Sequence, residues 1–243
     1  MRRVVSLVPS ATETLRLLGL DPVACTRFCE QPDLLAVGGT KNPDVDAIVG
    51  LAPDVVVMND EENRLEDADA LVAAGLRVHS MSPRSVAAVG PAVIDLGRTV
   101  GVAVPERFAP GTWERWIADQ GARAQGMRAA VLVWRRPWMT MNGDAYGSSL
   151  LETIGIENVF AGDHDRYPEV TLEEVGARRP DLVLLPGEPY PFKRRHIDEV
   201  SASLPGVDTR LVDGRDLFWW GIRTPHALSR LRDSLVGTQA GPD

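Results

Sequence analysis

The chain has 243 residues, room for one large domain or two small ones. It is 44% hydrophobic and 25% charged, an ordinary globular composition, and its formal net charge of −8 excludes the non-specific nucleic-acid binding that needs a basic surface. No run of about 18 apolar residues is present, so no membrane span is expected.

The N-terminal run Val4–Val8 breaks at Pro9 and is too short for the core of an export signal. As written, the sequence points to the cytoplasm, or to an extracytoplasmic place if a signal has been removed. Val4–Val8 reads as a first strand. Ser10 and Glu13 then have the spacing of a capping box, opening a helix that closes at Gly19. Strands follow at Val23–Thr26, Asp54–Met58 and Arg77–Ser80, with helices at Asp44–Leu51, Arg64–Ala74 and Ser85–Val100. Trp113, Trp116 and Ile117 have helical spacing within Val104–Gly126, where Pro110-Gly111 starts or kinks the helix. The second half repeats the plan. Strands are expected at Ala129–Trp134, Asp181–Leu185 and Thr209–Val212. Capping-box spacing recurs at Ser149/Glu152 and Thr171/Glu174, and further helices run across Phe192–Leu204 and Pro225–Leu235. The last residues, Gly237–Asp243, read as disordered.

Strands alternating with helices imply parallel sheets covered on both faces. Pro53-Asp54-Val55-Val56-Val57-Met58 is echoed by Pro180-Asp181-Leu182-Val183-Leu184-Leu185, and eight residues beyond each proline stands an acid, Glu61 or Glu188. The expected fold is therefore α/β, with two Rossmann-like lobes of similar topology. We expect an N-terminal lobe over 1–103, a connecting helix over 104–126 and a C-terminal lobe over 127–243, with a ligand cleft between the lobes.

Catalytic signatures are missing: no G-x-G-x-x-G, Walker loop, G-x-S-x-G or H-E-x-x-H occurs. No catalytic or metal-ligating residue is assigned, and no cofactor is expected. The histidines His79, His164, His196 and His226 lack ligand spacing, with His164 the best placed of them to touch a ligand. Cys25 and Cys29, four apart, read as free thiols. The aromatics say more. Phe28, Trp134, Trp138, Tyr146, Tyr190, Trp219 and Trp220 fall at expected strand ends or in loops, which suits a cleft for a large flat or apolar ligand. Arg135 and Arg136 are placed to meet polar groups on it.

Several stretches together resemble the helical-backbone substrate-binding proteins, the periplasmic receptors of cobalamin and ferric-siderophore uptake. They are Ser6–Glu13, Val37–Pro43, Pro53–Asn63, Trp134–Thr140, Asn158–Phe160 and Glu188–Lys193, and cobalamin-binding members are the most similar. The resemblance implies two lobes joined by a long helix and a non-catalytic receptor for a metal chelate, either a corrinoid such as cobalamin or a ferric siderophore. It also implies a monomer and an ABC importer permease as partner. By the same resemblance, one acid per lobe docks onto the permease, with Glu61 and Glu188 as candidates and Glu62 and Glu66 as neighbours. Two alternatives remain. One is a cytoplasmic protein that handles or senses such a chelate. The other is a chelate-modifying enzyme using His164, Asp163 or Glu62.

Overall fold

The computed structural model describes residues 2–120 and 126–235, so the expected disordered tail and part of the expected 104–126 helix lie outside the described residues. Two compact units emerge. One comprises Met1–Pro83, Ala87–Trp113 and Trp220–Ile222; the other comprises Arg84–Val86, Glu114–Trp219 and Arg223–Asp243.

The first unit carries a parallel sheet. Its strands are β1 (Val4–Ser6), β2 (Ala24–Cys25), β3 (Leu35–Ala36), β4 (Val55–Met58) and β5 (Val78–Ser80), in the order β3-β2-β1-β4-β5. Helices α1 (Pro9–Leu17), α2 (Val45–Gly50), α3 (Leu65–Ala73) and α4 (Val86–Val100) connect and follow them. The β4 run Val55-Val56-Val57-Met58 is buried throughout, as a central parallel strand covered on both faces must be. Val5, Leu7, Ile48, Val56, Met58 and Leu71 form the core beneath it. In 104–120 there is a 3-10 turn at Glu106–Phe108 and then α5 (Thr112–Asp119), which starts directly after Pro110-Gly111.

The second unit has strands β6 (Met127–Val131), β7 (Ile156–Asn158), β8 (Leu182–Pro186) and β9 (Asp208–Val212), parallel and in the order β7-β6-β8-β9. Its helices are α6 (Tyr146–Thr153), α7 (Leu172–Ala177), α8 (Arg194–Ser203), α9 (Gly214–Phe218) and α10 (Thr224–Leu235). The core is Leu132, Phe160, Val183, Leu185, Phe192 and Val200 with their neighbours. Each unit is thus an α/β lobe with a parallel sheet.

The Pro-Asp echo has one structural job in both units. Asp54 Oδ2 accepts the backbone N–H of Arg3 at 2.7 Å, and Asp181 Oδ2 accepts that of Arg128 at 2.8 Å. In return the N–H groups of Asp54 and Asp181 bond to the carbonyls of Arg3 and Arg128. The residue before each proline, Ala52 or Arg179, is left-handed, with φ of 44° and 51°. The motif pins a preceding helix to the start of the central strand pair.

Of the three expected capping boxes only Thr171–Glu174 forms. Helix α1 instead begins at Pro9 with Val8 as its cap residue, so Ser10 lies inside the first turn, buried. Proline at the first helical position has no N–H to leave unpaired and its φ is already helical, which moves the start upstream. Helix α6 begins at Tyr146, and Ser149 Oγ accepts the N–H of Val86 at 3.0 Å.

Candidate ligand-binding site

The strand order fixes where a site can form in each sheet. In the first unit the connections run outward from β1 through β2 to β3, then return to β4 and continue to β5. The direction reverses between β1 and β4. In the second unit the reversal lies between β6 and β8. At such a switch point the loops leave the sheet in opposite directions and open a crevice at the strand C-terminal ends.

At the β6/β8 switch point stands an aromatic cluster. The chain leaves β6 and turns tightly, with Val133 N bonding Met139 O at 2.8 Å and Met139 N bonding Trp134 O at 3.1 Å. Arg136 takes a left-handed φ of 70° in this turn. Trp134 is 42% exposed, while Trp138 is half-buried. The loop after β8 supplies Tyr190 and Phe192. Trp134 meets Tyr190 edge-on at 5.5 Å, Tyr190 lies 4.7 Å from Phe192, and Phe192 stacks parallel to Trp138 at 6.1 Å. Each such pair contributes about 0.5–1.5 kcal/mol beyond its burial.

Helix α8 backs the cluster. His196, buried, lies edge-on to both Tyr190 and Phe192 at 5.6 and 5.5 Å. Its Nδ1 accepts the N–H of Lys193 at 2.9 Å. Burial, with Arg195 and Arg135 nearby, holds its pKa below the usual histidine value and favours the neutral ring. Glu199 takes Arg135 in a two-pronged pair at 2.9 and 2.8 Å, and that guanidinium lies 5.6 Å from the Trp138 ring centre. Arg135 is therefore held as a wall of the cluster, its charge matched by Glu199.

Glu188 opens the β8 loop and is half-buried. Gly214 makes this possible. A Cβ there would sit 2.5 Å from Glu188 Cγ and 2.6 Å from its backbone N, so the turn after β9 passes against this loop only without a side chain.

In the first unit, the loop after β4 carries Glu61 and Glu62, both half-buried. Two asparagines shape it. Asn59 Oδ1 accepts the N–H of Glu61 at 2.6 Å, and Asn63 Oδ1 accepts that of Asn59 at 2.8 Å. Asn63 Nδ2 then bonds the carbonyls of Leu7 at 3.2 Å and Thr40 at 2.9 Å, tying together the loops beyond β1, β3 and β4. Phe28 stands 49% exposed on a 3-10 turn after β2, with Arg27 over its ring at 4.9 Å.

The remaining aromatics lie deeper. Tyr146 is buried, and its hydroxyl is 2.9 Å from Thr224 Oγ1. Burial pushes its pKa up. Trp219 has Arg215 and Arg223 at 5.3 and 5.4 Å from its ring centre. Trp220 is buried in the first unit. Within the second unit the structure thus brings together Trp134, Trp138 and Tyr190, while Phe28 and Trp220 belong to the first unit. The sequence reading missed Phe192, His196 and Glu199. The available signal was the spacing of His196, Glu199 and Val200 on one helical face directly after Glu188–Lys193. His164 is fully exposed, and Asp163 is paired with Arg178 at 2.8 Å. Among the described residues no group of three or more His, Cys, Asp or Glu converges as a metal site.

Residues 4–207 match the periplasmic binding protein family. The chain belongs to that family. The chain is accordingly a non-catalytic substrate-binding protein, and the enzyme alternative falls away. Vitamin B12-binding proteins of Yersinia pestis and Yersinia pseudotuberculosis are 26% identical to it over 212 residues, 82% of this chain and 73% of theirs. The crystal structure of the periplasmic vitamin B12 binding protein of Vibrio cholerae superposes with a TM-score of 0.78 at 19% identity. That match covers 99% of this chain and 98% of the other. A periplasmic heme binding protein from Pseudomonas aeruginosa also gives 0.78, at 19% identity over 98% and 93%. At such identities the structural matches speak for the periplasmic binding protein fold. No helix among the described residues is long and apolar enough to cross a membrane.

Proposed function

We propose that this periplasmic binding protein is a receptor for a corrinoid such as cobalamin, which it holds by shape and stacking and delivers to an ABC importer. The observation that carries the reading is the partly exposed aromatic cluster at the β6/β8 switch point. A flat macrocycle needs apolar, rigid walls there more than it needs charge, and Arg135 is already neutralised by Glu199. The vitamin B12-binding relatives support the same ligand class. Trp134 offers the stacking face, Trp138 and Tyr190 support it, and Phe28 is the exposed aromatic of the first unit. Tyr146, Trp219 and Trp220 are the further aromatic candidates for ligand contact. The lobes are residues 1–103 and 127–243, with 104–126 linking them, and the working form is a monomer. Glu61, Glu62 and Glu188 are the docking acids for the permease. The cytoplasmic placement expected from the first residues finds no support in a family of periplasmic proteins, and an importer receptor works outside the cytoplasm.

Titration with aquocobalamin, followed by quenching of the fluorescence of six tryptophans, tests this. Saturable quenching at micromolar ligand or below is expected, and Trp134→Ala should weaken it by about 1–3 kcal/mol. No quenching with aquocobalamin, but saturation with haem or a ferric siderophore, would replace the ligand. Unchanged affinity in the Trp134 variant would remove the aromatic cluster from the site. Charge reversal at Glu61 and Glu188 should leave affinity alone and impair only transport in a reconstituted importer.

A further inference from the structure

Acids outnumber bases in this chain, 34 to 26. Trp134–Trp138 and Tyr190–His196 reverse that balance. The two segments hold Arg135, Arg136, Lys193, Arg194 and Arg195 and no acid. The fold sets them side by side. Trp134 meets Tyr190 at 5.5 Å, and Trp138 stacks on Phe192 at 6.1 Å. Arg135 reaches Glu199 on α8 at 2.9 and 2.8 Å, which docks the turn after β6 against that helix. Lys193 immediately precedes α8, its N–H held on His196 Nδ1 at 2.9 Å, and Arg194 is the first residue of the helix.

The five cations are not equivalent. Arg135 is neutralised by Glu199, and Arg195 lies against the His196 ring, with Nε 3.3 Å from Nε2. Arg136, Lys193 and Arg194 are exposed, and their side chains form no ion pair among the described residues. Like charges gathered at the rim of an apolar face repel one another, and an anion placed among them is attracted by all three. A ligand stacked on Trp134 brings its outer substituents to this rim. We propose that Arg136, Lys193 and Arg194 form an anion subsite beside the stacking face, which makes the receptor selective for macrocycles carrying a phosphodiester or carboxylate group. The inference rests on the corrinoid reading and names the part of the ligand that the aromatic rings do not hold; in cobalamin that part is the phosphodiester of the nucleotide tail. The guanidinium groups of Arg136 and Arg194 can each take two anion oxygens in a fork, and Lys193 adds a point charge.

Cyanocobalamin and dicyanocobinamide test this. They share the corrin ring and are both neutral overall, but only the first has the phosphodiester. Isothermal titration calorimetry of the full-length chain at low salt should show that the wild type prefers cyanocobalamin. Arg136→Gln, Lys193→Gln and Arg194→Gln together should remove about tenfold of that preference, by weakening cyanocobalamin. Arg136→Lys, Lys193→Arg and Arg194→Lys together should retain it. Raising the salt to about 0.5 M should shrink the preference in the wild type, because exposed charges are screened. Circular dichroism checks that each variant is folded. Haemin separates the two anion sources. If haemin binds, neither corrinoid does, and the Gln variant loses about tenfold in haemin affinity, the subsite stands and its anion is a carboxylate. Equal binding of the two corrinoids by the wild type, a preference that the Gln variant keeps, or haemin binding as the only binding and unaffected by the Gln variant would overturn the subsite and leave the receptor reading standing. No binding of any of the three probes would remove both.

Discussion

Removing the carboxylate of Asp216 should destabilise the second unit more than any other single surface-to-core polar change in this region. Asp216 is 3% exposed in α9. It accepts from Arg223 Nη2 at 2.8 Å and from Arg230 Nε at 2.6 Å. The two arms differ in solvation: the Arg223 side chain is 11% exposed and that of Arg230 54%. Asp216→Ala breaks a buried ion pair by removing the carboxylate that Arg223 and Arg230 share, which costs about 3–5 kcal/mol. Arg230→Met leaves Asp216 paired with Arg223 and removes a largely solvated partner, for a cost within about 1 kcal/mol. Acid should erase the difference between wild type and Asp216→Ala. Burial raises the Asp216 pKa, but the bonds from Arg230 and Arg223 outweigh it, and the folded value lies below the ordinary one. A depressed carboxyl contributes stability above its unfolded pKa of about 3.9 and loses it as the pH falls through the folded value. Urea unfolding, followed by far-ultraviolet circular dichroism at neutral pH and in steps below about pH 4, measures both. A cost below about 1 kcal/mol for Asp216→Ala, or a gap that persists into acid, would refute the reasoning.

Two further tests use sharper geometry. Gly221 has φ of 118°, and a Cβ there would lie 1.9 Å from Thr14 Oγ1, so Gly221→Ala should cost about 2 kcal/mol or more in a chemical melt. Adding Thr14→Ala should recover part of it; no recovery would assign the loss to backbone strain alone. Thr171→Ala removes the acceptor for the Glu174 N–H, one half of a formed capping box, while the backbone N–H of residue 171 can still donate to Glu174, and it should cost about 1 kcal/mol. Ser10→Ala, at a position with the same sequence signature, should be neutral or stabilising, because the Ser10 hydroxyl is buried without a hydrogen-bond partner. Equal losses in the two variants would show that Ser10 also caps.

That contrast marks where the sequence was legible. The Pro-Asp echo was readable because its pattern is local, an apolar strand with the proline and aspartate just before it, although its carboxylates close on the N–H groups of Arg3 and Arg128, 51 and 53 residues away. The capping boxes were not, because Ser10, Ser149 and Thr171 share one spacing, and tertiary context decides which of them sits at a helix start. Pro9 pre-empts the first and Tyr146 the second. Strands β3 and β7 have two and three residues, too few for a period to appear. The aromatic positions were visible as strand-end residues, but their grouping was not. Trp134 and Tyr190 are 56 residues apart, and only the pairing of β6 with β8 brings them to 5.5 Å.

The same pairing bears on the binding role proposed for this cluster. Phe192 belongs both to the core of the second unit and to the aromatic cluster, stacking on Trp138 and touching Tyr190. The burial that folds the unit therefore also fixes the rings, and a ligand arriving at Trp134 meets a surface whose ordering cost has already been met. His196 adds a condition: its neutral ring fills the back of the cluster, and its Nδ1 anchors the Lys193 N–H at the start of α8. A protonated His196 could not accept that bond. Affinity at the cluster should therefore be steady above the usual histidine pKa of about 6.5 and decline as the pH falls through the lower folded value. A ligand affinity that stays constant as the pH is lowered until the fold itself gives way would separate the stacking surface from the helix behind it.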